Sequence, residues 1–368
     1  MTVRPARPAS AAVPCGLLVI ALLIALSGCG GSLPGAAAAP PTRPPHTDEV
    51  RLLVSRDLGA EILTDTLVPH TPGMSVMRLL AENTRVETGY GGGFVGSIDG
   101  LRSTFGTVGP QEASDWFYWV DGSLADVGAD YTLLQGGSTV WWDFHRWAQA
   151  AFIPATLACF PAPFADGGLA LYVDEVGAQG QAGATGEVGT QSRAGAALEE
   201  WAAASGLQPV LAGGYSEWAS VWMDGAEEGT EEATASGASE VAAGSTASAT
   251  HLLLALPLAS ISADDTPVLV DSLSPGPAQG VFVTLRDGSL SALTSTGAEG
   301  PPLDAAALAL RSPRDLSTFT LLLLYRDEGA LERLLLELNP DSLRARLALG
   351  VDSKRTVCLP APETTTPK

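Results

Sequence analysis

The stretch Asp115–Gly122, DWFYWVDG, leaves few folds open to the chain that carries it. Side chains of a strand point alternately to its two faces. Trp116, Tyr118 and Val120 therefore share one face, and Phe117 and Trp119 the other. The segment Val140–Phe144 repeats the pattern, with Trp142 and Phe144 on one side and Trp141 and Asp143 on the other. One helix over a small sheet covers one face only. The second aromatic face has to meet something else: the rest of the chain, a ligand or a protein partner. Five of the eight tryptophans lie between 116 and 147. Trp147, at the end of this segment, suits docking against the second half of the chain.

The elements around these strands can be read from pattern. Val50–Ser55 and Glu61–Leu67 are strand-like, with a turn at Asp57-Leu58-Gly59. In TPGMSVMRLLAEN, Val76, Leu79 and Leu80 fall on one helical face, and Thr71 or Ser75 can cap the start. Arg85–Thr88 and Gly93–Ile98 come next as short extended pieces, then the aromatic strand. YTLLQGGSTVWWDF is expected to form two strands joined at Gly136-Gly137. The order is hairpin, helix, then several short strands.

Between helix and strand lies TGYGGGFVGSIDG, in which Gly91, Gly93 and Gly96 fit G-x-G-x-x-G. A dinucleotide site needs a helix opening directly after that loop, so that pyrophosphate meets the helix N-terminus. Here a β-branched run and an Asp-Gly turn take the helix's place. The glycines read as turn chemistry or as a backbone surface that a flat ligand can approach closely.

Several spaced words in this segment resemble a known family. They are Tyr90-Gly91, Ile98-Asp99-Gly100 and Trp116-Phe117-Tyr118-Trp119-Val120-Asp121-Gly122, then Gly128, Tyr131, Leu133, Gly136, Val140 and Trp142. The pattern is similar to that of the transcobalamin-like C-terminal domain, long catalogued in bacteria as a domain of unknown function. Asp121 stands where the family usually has Asn, and Gly137-Ser138 where Gly-Asp is usual. The Gly128–Tyr131 gap is one residue short. The resemblance covers about 100 residues and implies a β-grasp-like fold. In the animal cobalamin carriers the similar domain closes over one face of the corrin ring. The resemblance therefore implies cobalamin, or another corrinoid, as a ligand.

The N-terminus has its own logic. Arg4 and Arg7 precede the apolar run Gly16–Leu26, which is too short to span a bilayer and suits a secretory signal. Leu26-Ser27-Gly28-Cys29 resembles the bacterial lipobox, which implies cleavage before Cys29 and its acylation. Residues 1–28 are then a signal peptide and 29–48 a Pro- and Ala-rich tether outside the cytoplasm. A first domain is expected at 49–147 and a second, α+β, at 148–360, with loops near 177–194 and 224–249 and a tail at 361–368. The class for the whole is α+β. Apolar residues at 46% suffice for a core, and a net charge of −21 disfavours a nucleic-acid partner. After the signal and the lipid site, Cys159 and Cys358 remain; they either form a bridge closing the second domain or stand as two buried thiols.

The second half offers strand-like runs at Leu169–Val173, Pro209–Ala212, Ala219–Met223, Leu252–Leu258, Val268–Val270, Val281–Leu285, Ser289–Leu293 and Phe319–Tyr325. Helices are expected around Leu198–Ala202, at Asp304–Leu310 and in DEGALERLLLEL, whose Leu331, Leu334, Leu335 and Leu338 share a face. Chemistry is sparse. The four histidines show no metal-ligand spacing, and neither H-E-x-x-H nor G-x-S-x-G occurs. His145 beside Asp143 is the one pair of interest. An enzyme and a bound metal are not expected. The expectation is a lipid-anchored extracytoplasmic binding protein, feeding a membrane permease, whose ligand lies against Tyr90, Gly92, Trp119 and Trp141. The rival expectation is a surface interaction or adhesion module.

Overall fold

The apolar run after Val50 forms the second strand of a five-stranded sheet. The computed structural model describes residues 48–89, 94–109, 112–150, 152–165, 167–174, 193–224, 251–274 and 276–363. The signal-like segment, Cys29, most of the tether and most of the two expected loops lie outside them. Strands β1 (Glu49–Arg56) and β2 (Glu61–Pro69) form an antiparallel hairpin. Helix α1 (Val76–Asn83) follows, then β3 (Val86–Gly89), β4 (Phe94–Ile98) and β5 (Leu101–Arg102) as a separate antiparallel sheet. The aromatic strand is β6 (Ser114–Val120), continued by β7 (Ser123–Leu124), β8 (Thr139–Arg146) and the short helix α2 (Trp147–Ala150). The large sheet runs β2-β1-β8-β6-β7, with β1 and β8 parallel and the other pairs antiparallel.

Helix α1 starts where Ser75 Oγ accepts from the Arg78 backbone N–H, so Ser75 is the cap. Val76, Met77, Leu79 and Leu80 are its buried stripe. The stretch 131–135, expected as a strand, is instead the seat of this helix. Thr132 and Ala129 carbonyls accept from the Val76 and Met77 N–H groups, and Leu134 N donates to Met74 O. Those first-turn donors have no partner inside a helix, and that requirement outweighs strand pairing here.

The second half holds β9 (Leu169–Val173), α3 (Arg193–Ala204), β10 (Pro209–Gly213), α4 (Tyr215–Asp224) and β11 (His251–Pro257). Then come α5 (Pro267–Leu273) and a three-stranded sheet of β12 (Val283–Arg286), β13 (Ser289–Leu293) and β14 (Glu299–Leu303). Strands β15 (Ala305–Arg311) and β16 (Phe319–Tyr325), helix α6 (Glu328–Glu337), β17 (Ala348–Val351) and β18 (Thr356–Leu359) complete it. A seven-stranded sheet runs β10-β9-β11-β16-β15-β17-β18. Its first four strands are parallel and the rest antiparallel. Alternate residues of β11 serve opposite faces: Leu252, Leu254 and Leu256 pack with α4, and Leu253 and Ala255 with α3 and α6. A sheet covered on both sides explains the unbroken apolar run. The fold class is α+β, as expected.

The second aromatic face of the first sheet meets the second half. Leu53, Phe117, Trp119 and Trp141 join one core cluster with Tyr172, Trp218, Trp222, Leu252, Leu254 and Leu324. The opposite face packs Leu52, Trp116 and Trp142 against α1, Val95 and Ile98. Residues 49–147 and 148–360 therefore belong to one compact unit. The expected boundary between 147 and 148 falls inside α2 and does not break the packing. Among the described residues no helix is long and apolar enough to cross a membrane.

Candidate functional site

Trp119 and Trp141, expected at a contact surface, are both 0% exposed. Their rings stack at 4.6 Å between centroids, and each indole N–H is spent inside, on Ile153 O at 2.8 Å and Ser55 Oγ at 2.7 Å. Sealing a ring of this size removes roughly 150–250 Å² from water. At about 25 cal/mol per Å² that is on the order of 4–6 kcal/mol each. These two residues are core, which corrects the expectation. Tyr90 and Gly92 lie outside the described residues.

Cys159 and Cys358 are both free thiols, so the bridge is not formed. Cys159 is buried beneath the first sheet with Sγ towards Thr139 O, and burial pushes its thiol far above the ordinary range. Cys358 sits on β18, the edge strand of the other sheet, opposite Leu349.

Asp143 and His145 form the expected pair, 2.9 Å apart, with Ser55 joined to the same carboxylate. The order is Ser–Asp–His, so the hydroxyl faces the acid and not the imidazole. A nucleophile needs the base beside it. Each Asp143 oxygen takes two bonds: Oδ1 from Ser55 Oγ and Gly59 N, Oδ2 from Leu58 N and His145 Nδ1. His145 Nε2 faces Ala150 O at 2.9 Å. Asp57, Leu58 and Gly59 all have positive φ, and their turn presents backbone N–H groups as an anion-binding nest. Asp143 fills it. All three side chains are buried, and the network fastens the β1–β2 turn to β8 and α2.

Among the described residues, one surface feature is a cluster of rings beside a hollow. Trp147 stacks on Phe105 at 5.5 Å, meets Phe152 edge-on at 5.5 Å and 84°, and touches Phe117 at 5.4 Å. Phe94 adjoins Phe105 at 6.4 Å. Phe105 is 53% exposed and Phe152 58%. The hollow, of about 400 Å³, is lined by Trp147, Gln149, Phe152, Pro277, Ser295 and Thr296 and by neighbouring alanines. Its polar wall is ordered: Gln149 Nε2 donates to Ser295 Oγ, and Ser295 and Thr296 hydroxyls donate to Glu363 Oε1. Burial would raise the Glu363 carboxyl, but the Thr296, Thr294 and Ser295 hydroxyls together hold it below its usual value. Behind Trp147, burial raises the Asp115 carboxyl against the opposing pull of Trp116 N–H, Ser103, Trp147 and His145.

Sequence pattern pointed to Trp147 only. Phe105 and Phe152 lie in loops without periodicity, and Ser295 and Thr296 reach the hollow from far along the chain, backed by Glu363. Among the described residues no three His, Cys, Asp or Glu side chains are grouped to hold a metal.

Comparison with known proteins finds a domain model that matches part of the chain. Residues 73–146 match the model described as a domain of unknown function (DUF4430). That segment holds α1, β6 and β8. No curated protein matches. Among solved structures, the chain is similar to a crystal structure from Ruminococcus gnavus described as that of "a putative metal binding protein". Identity is 18%, with 26% of this chain and 95% of that one covered, at a TM-score of 0.21.

Proposed function

We propose that the protein is a lipid-anchored, extracytoplasmic binding protein that takes a small, ring-bearing ligand at the Trp147–Phe152 hollow. One observation carries this reading: Phe105 and Phe152 expose more than half their surface, and both rings contact Trp147, which with Phe152 lines the hollow. Single exposed apolar residues are ordinary, whereas a contiguous aromatic patch beside a concavity marks a binding surface. The hairpin, the helix and the parallel β1–β8 pair support a β-grasp-like reading of residues 49–147. The resemblance to the transcobalamin-like domain makes a corrinoid the first ligand to try. A hollow of about 400 Å³ is at the small end for ligand sites, so a macrocycle would lay one edge there and leave the rest outside.

The test is calorimetry of the full mature chain with cyanocobalamin, for the wild type and for Phe152→Ala. Saturating heat that the variant loses supports a corrinoid at the hollow. Absence of heat rejects the corrinoid, and heat that Phe152→Ala leaves unchanged moves the site elsewhere. The anchor is tested by labelling cells with a palmitate analogue; Cys29→Ser should abolish incorporation. A permease in the same membrane would receive the ligand.

A second reading has its own support. Strand β2 is a sheet edge and exposes Ile62, Leu63 and Leu67. An open apolar edge invites another strand. If the protein works by protein–protein adhesion, Leu63→Lys should abolish capture of an envelope partner while Phe152→Ala spares it.

A further inference from the structure

We infer that two copies of this chain pair through the outer edge of β2, antiparallel and about a two-fold axis at Asp65. The inference rests on the edge reading of β2 and names the partner that meets it. The sequence carries the first argument. Residues 62–68 read ILTDTLV, nearly the same in both directions about Asp65. A two-fold interface brings the same patch of both copies together, so residue i meets j and j meets i. Antiparallel pairing centred on Asp65 sets Leu63 against Leu67, Thr64 against Thr66 and Ile62 against Val68 in the other copy. Each cross-strand pair then joins side chains of like kind, and such pairs are the unit that stabilises a sheet.

The edge is open to such a partner. Native edges are guarded by Lys or Pro within the strand, by a bulge or by a covering element. Strand β2 has no Lys, Pro69 is its last residue, and among the described residues no strand pairs with its outer side. Its guard is one bulge near one end, where Leu63 is the extra residue opposite the Val54–Ser55 step of β1. The bulge brings Ile62, opposite Ser55, to the face that Asp65 takes opposite Leu53, beside Leu63 and Leu67. Ile62, Leu63 and Leu67 are 41%, 43% and 52% exposed. Two Asp65 carboxylates meet at the axis, where bare like charges would repel. Each already holds Arg51 through two bonds of 2.8 Å and Arg344 at 3.2 Å. The centre therefore assembles two carboxylates with four guanidiniums. A contact limited to one short edge belongs with interfaces of less than about 1,200 Å², and a net charge of −21 on each copy opposes association. The dimer is accordingly a weak one, favoured by high local concentration.

The experiment is sedimentation equilibrium of the full mature chain from about 1 to about 500 µM in roughly 0.15 M salt. A monomer–dimer equilibrium with Kd on the order of 10–100 µM is expected. Leu63→Lys and Leu67→Glu should each weaken it about tenfold, since either change removes two Leu–Leu pairs per dimer. The double variant Leu63→Lys/Leu67→Glu should return to within about threefold of wild type, because each Lys then faces a Glu in the other copy. Both positions are exposed, and circular dichroism checks that the variants are folded. A chain that stays monomeric throughout, single variants that leave the dimer intact, or a double variant no better than the singles overturns the pairing. The edge reading is judged apart from it. If the chain is monomeric and Leu63→Lys still abolishes capture of an envelope partner, the edge stands and self-pairing falls. If capture is unchanged as well, both fall.

Discussion

Both oxygens of Asp143 are saturated, Oδ1 by Ser55 and Gly59 and Oδ2 by Leu58 and His145. An amide in its place would turn one oxygen into a donor facing donors. Leaving a buried N–H unmet costs about 1–3 kcal/mol, and here the left-handed turn at Asp57–Gly59 loses its anchor as well. Asp143→Asn should therefore destabilise by about 2–4 kcal/mol in urea unfolding; a loss under about 0.5 kcal/mol would show that the network is incidental. Gly59 is fixed for another reason. A Cβ there would run into the Ala345 carbonyl, and φ is +78°, so Gly59→Ala combines a clash with backbone strain. Asp115 predicts a pH effect of definite sign. Burial raises its carboxyl, so the fold favours the neutral acid. That contribution is complete below the ordinary value near 3.8 and is lost as pH rises through the raised folded value. Asp115→Asn lacks the loss. Its stability relative to wild type should improve between pH 3 and pH 7 in parallel denaturant titrations; a difference that stays flat with pH would refute the assignment.

Elements show where local pattern suffices and where it does not. The hairpin, α1 and α6 were legible because each has a period and a cap: Ser75 begins α1, and Asp327 begins α6 by accepting from Ala330 N. Strand β15 was not. Asp304–Leu310 is alanine-rich and reads as helix, yet Ala305–Arg311 pairs with β16 on one side and, through Ala305–Leu308, with β17 on the other. Burial between two strands overrides a propensity of a few tenths of a kcal/mol per residue. Ala219–Met223 erred the other way. Tyr215, Trp218 and Trp222 are spaced three and four apart, a helical face, and α4 buries all three in the shared core. Val268–Val270 likewise falls within helix α5, with Pro267 at its first turn. The candidate site was less legible still. Its rings and polar groups come from residues 105, 147, 149, 152, 295 and 296, which only the folded chain brings together. Trp218 tests the importance of α4. Its indole is fully buried and donates to Thr320 Oγ1 at 3.1 Å. Trp218→Ala should cost about 3–5 kcal/mol in guanidinium unfolding, whereas Met223→Ala, at an exposed position, should change little.

The two halves are held together by more than one shared face. Arg346 donates to Gly59 O, Arg344 pairs with Asp65 at 3.2 Å, and Thr156 N donates to Gly122 O. These contacts surround the cluster in which Trp119 and Trp141 lie beside Trp218 and Leu254. Cutting the chain after residue 147 would expose Leu53, Phe117, Trp119 and Trp141 together on one sheet face. Losing roughly 4–6 kcal/mol per large ring exceeds what a domain of about 100 residues has to spare. The isolated 49–147 fragment should therefore be a loosely packed or aggregating species, with far-ultraviolet circular dichroism but little near-ultraviolet signal from its five tryptophans. The full chain should unfold in one transition, with tryptophan fluorescence and backbone dichroism coincident in denaturant. A fragment giving dispersed, sharp amide resonances, or a full chain unfolding in two steps, would show that the first sheet stands alone. Ligand experiments consequently need the full chain: the Trp147 hollow is closed on one side by Pro277, Ser295 and Thr296, and a fragment would lack that wall even if it folded.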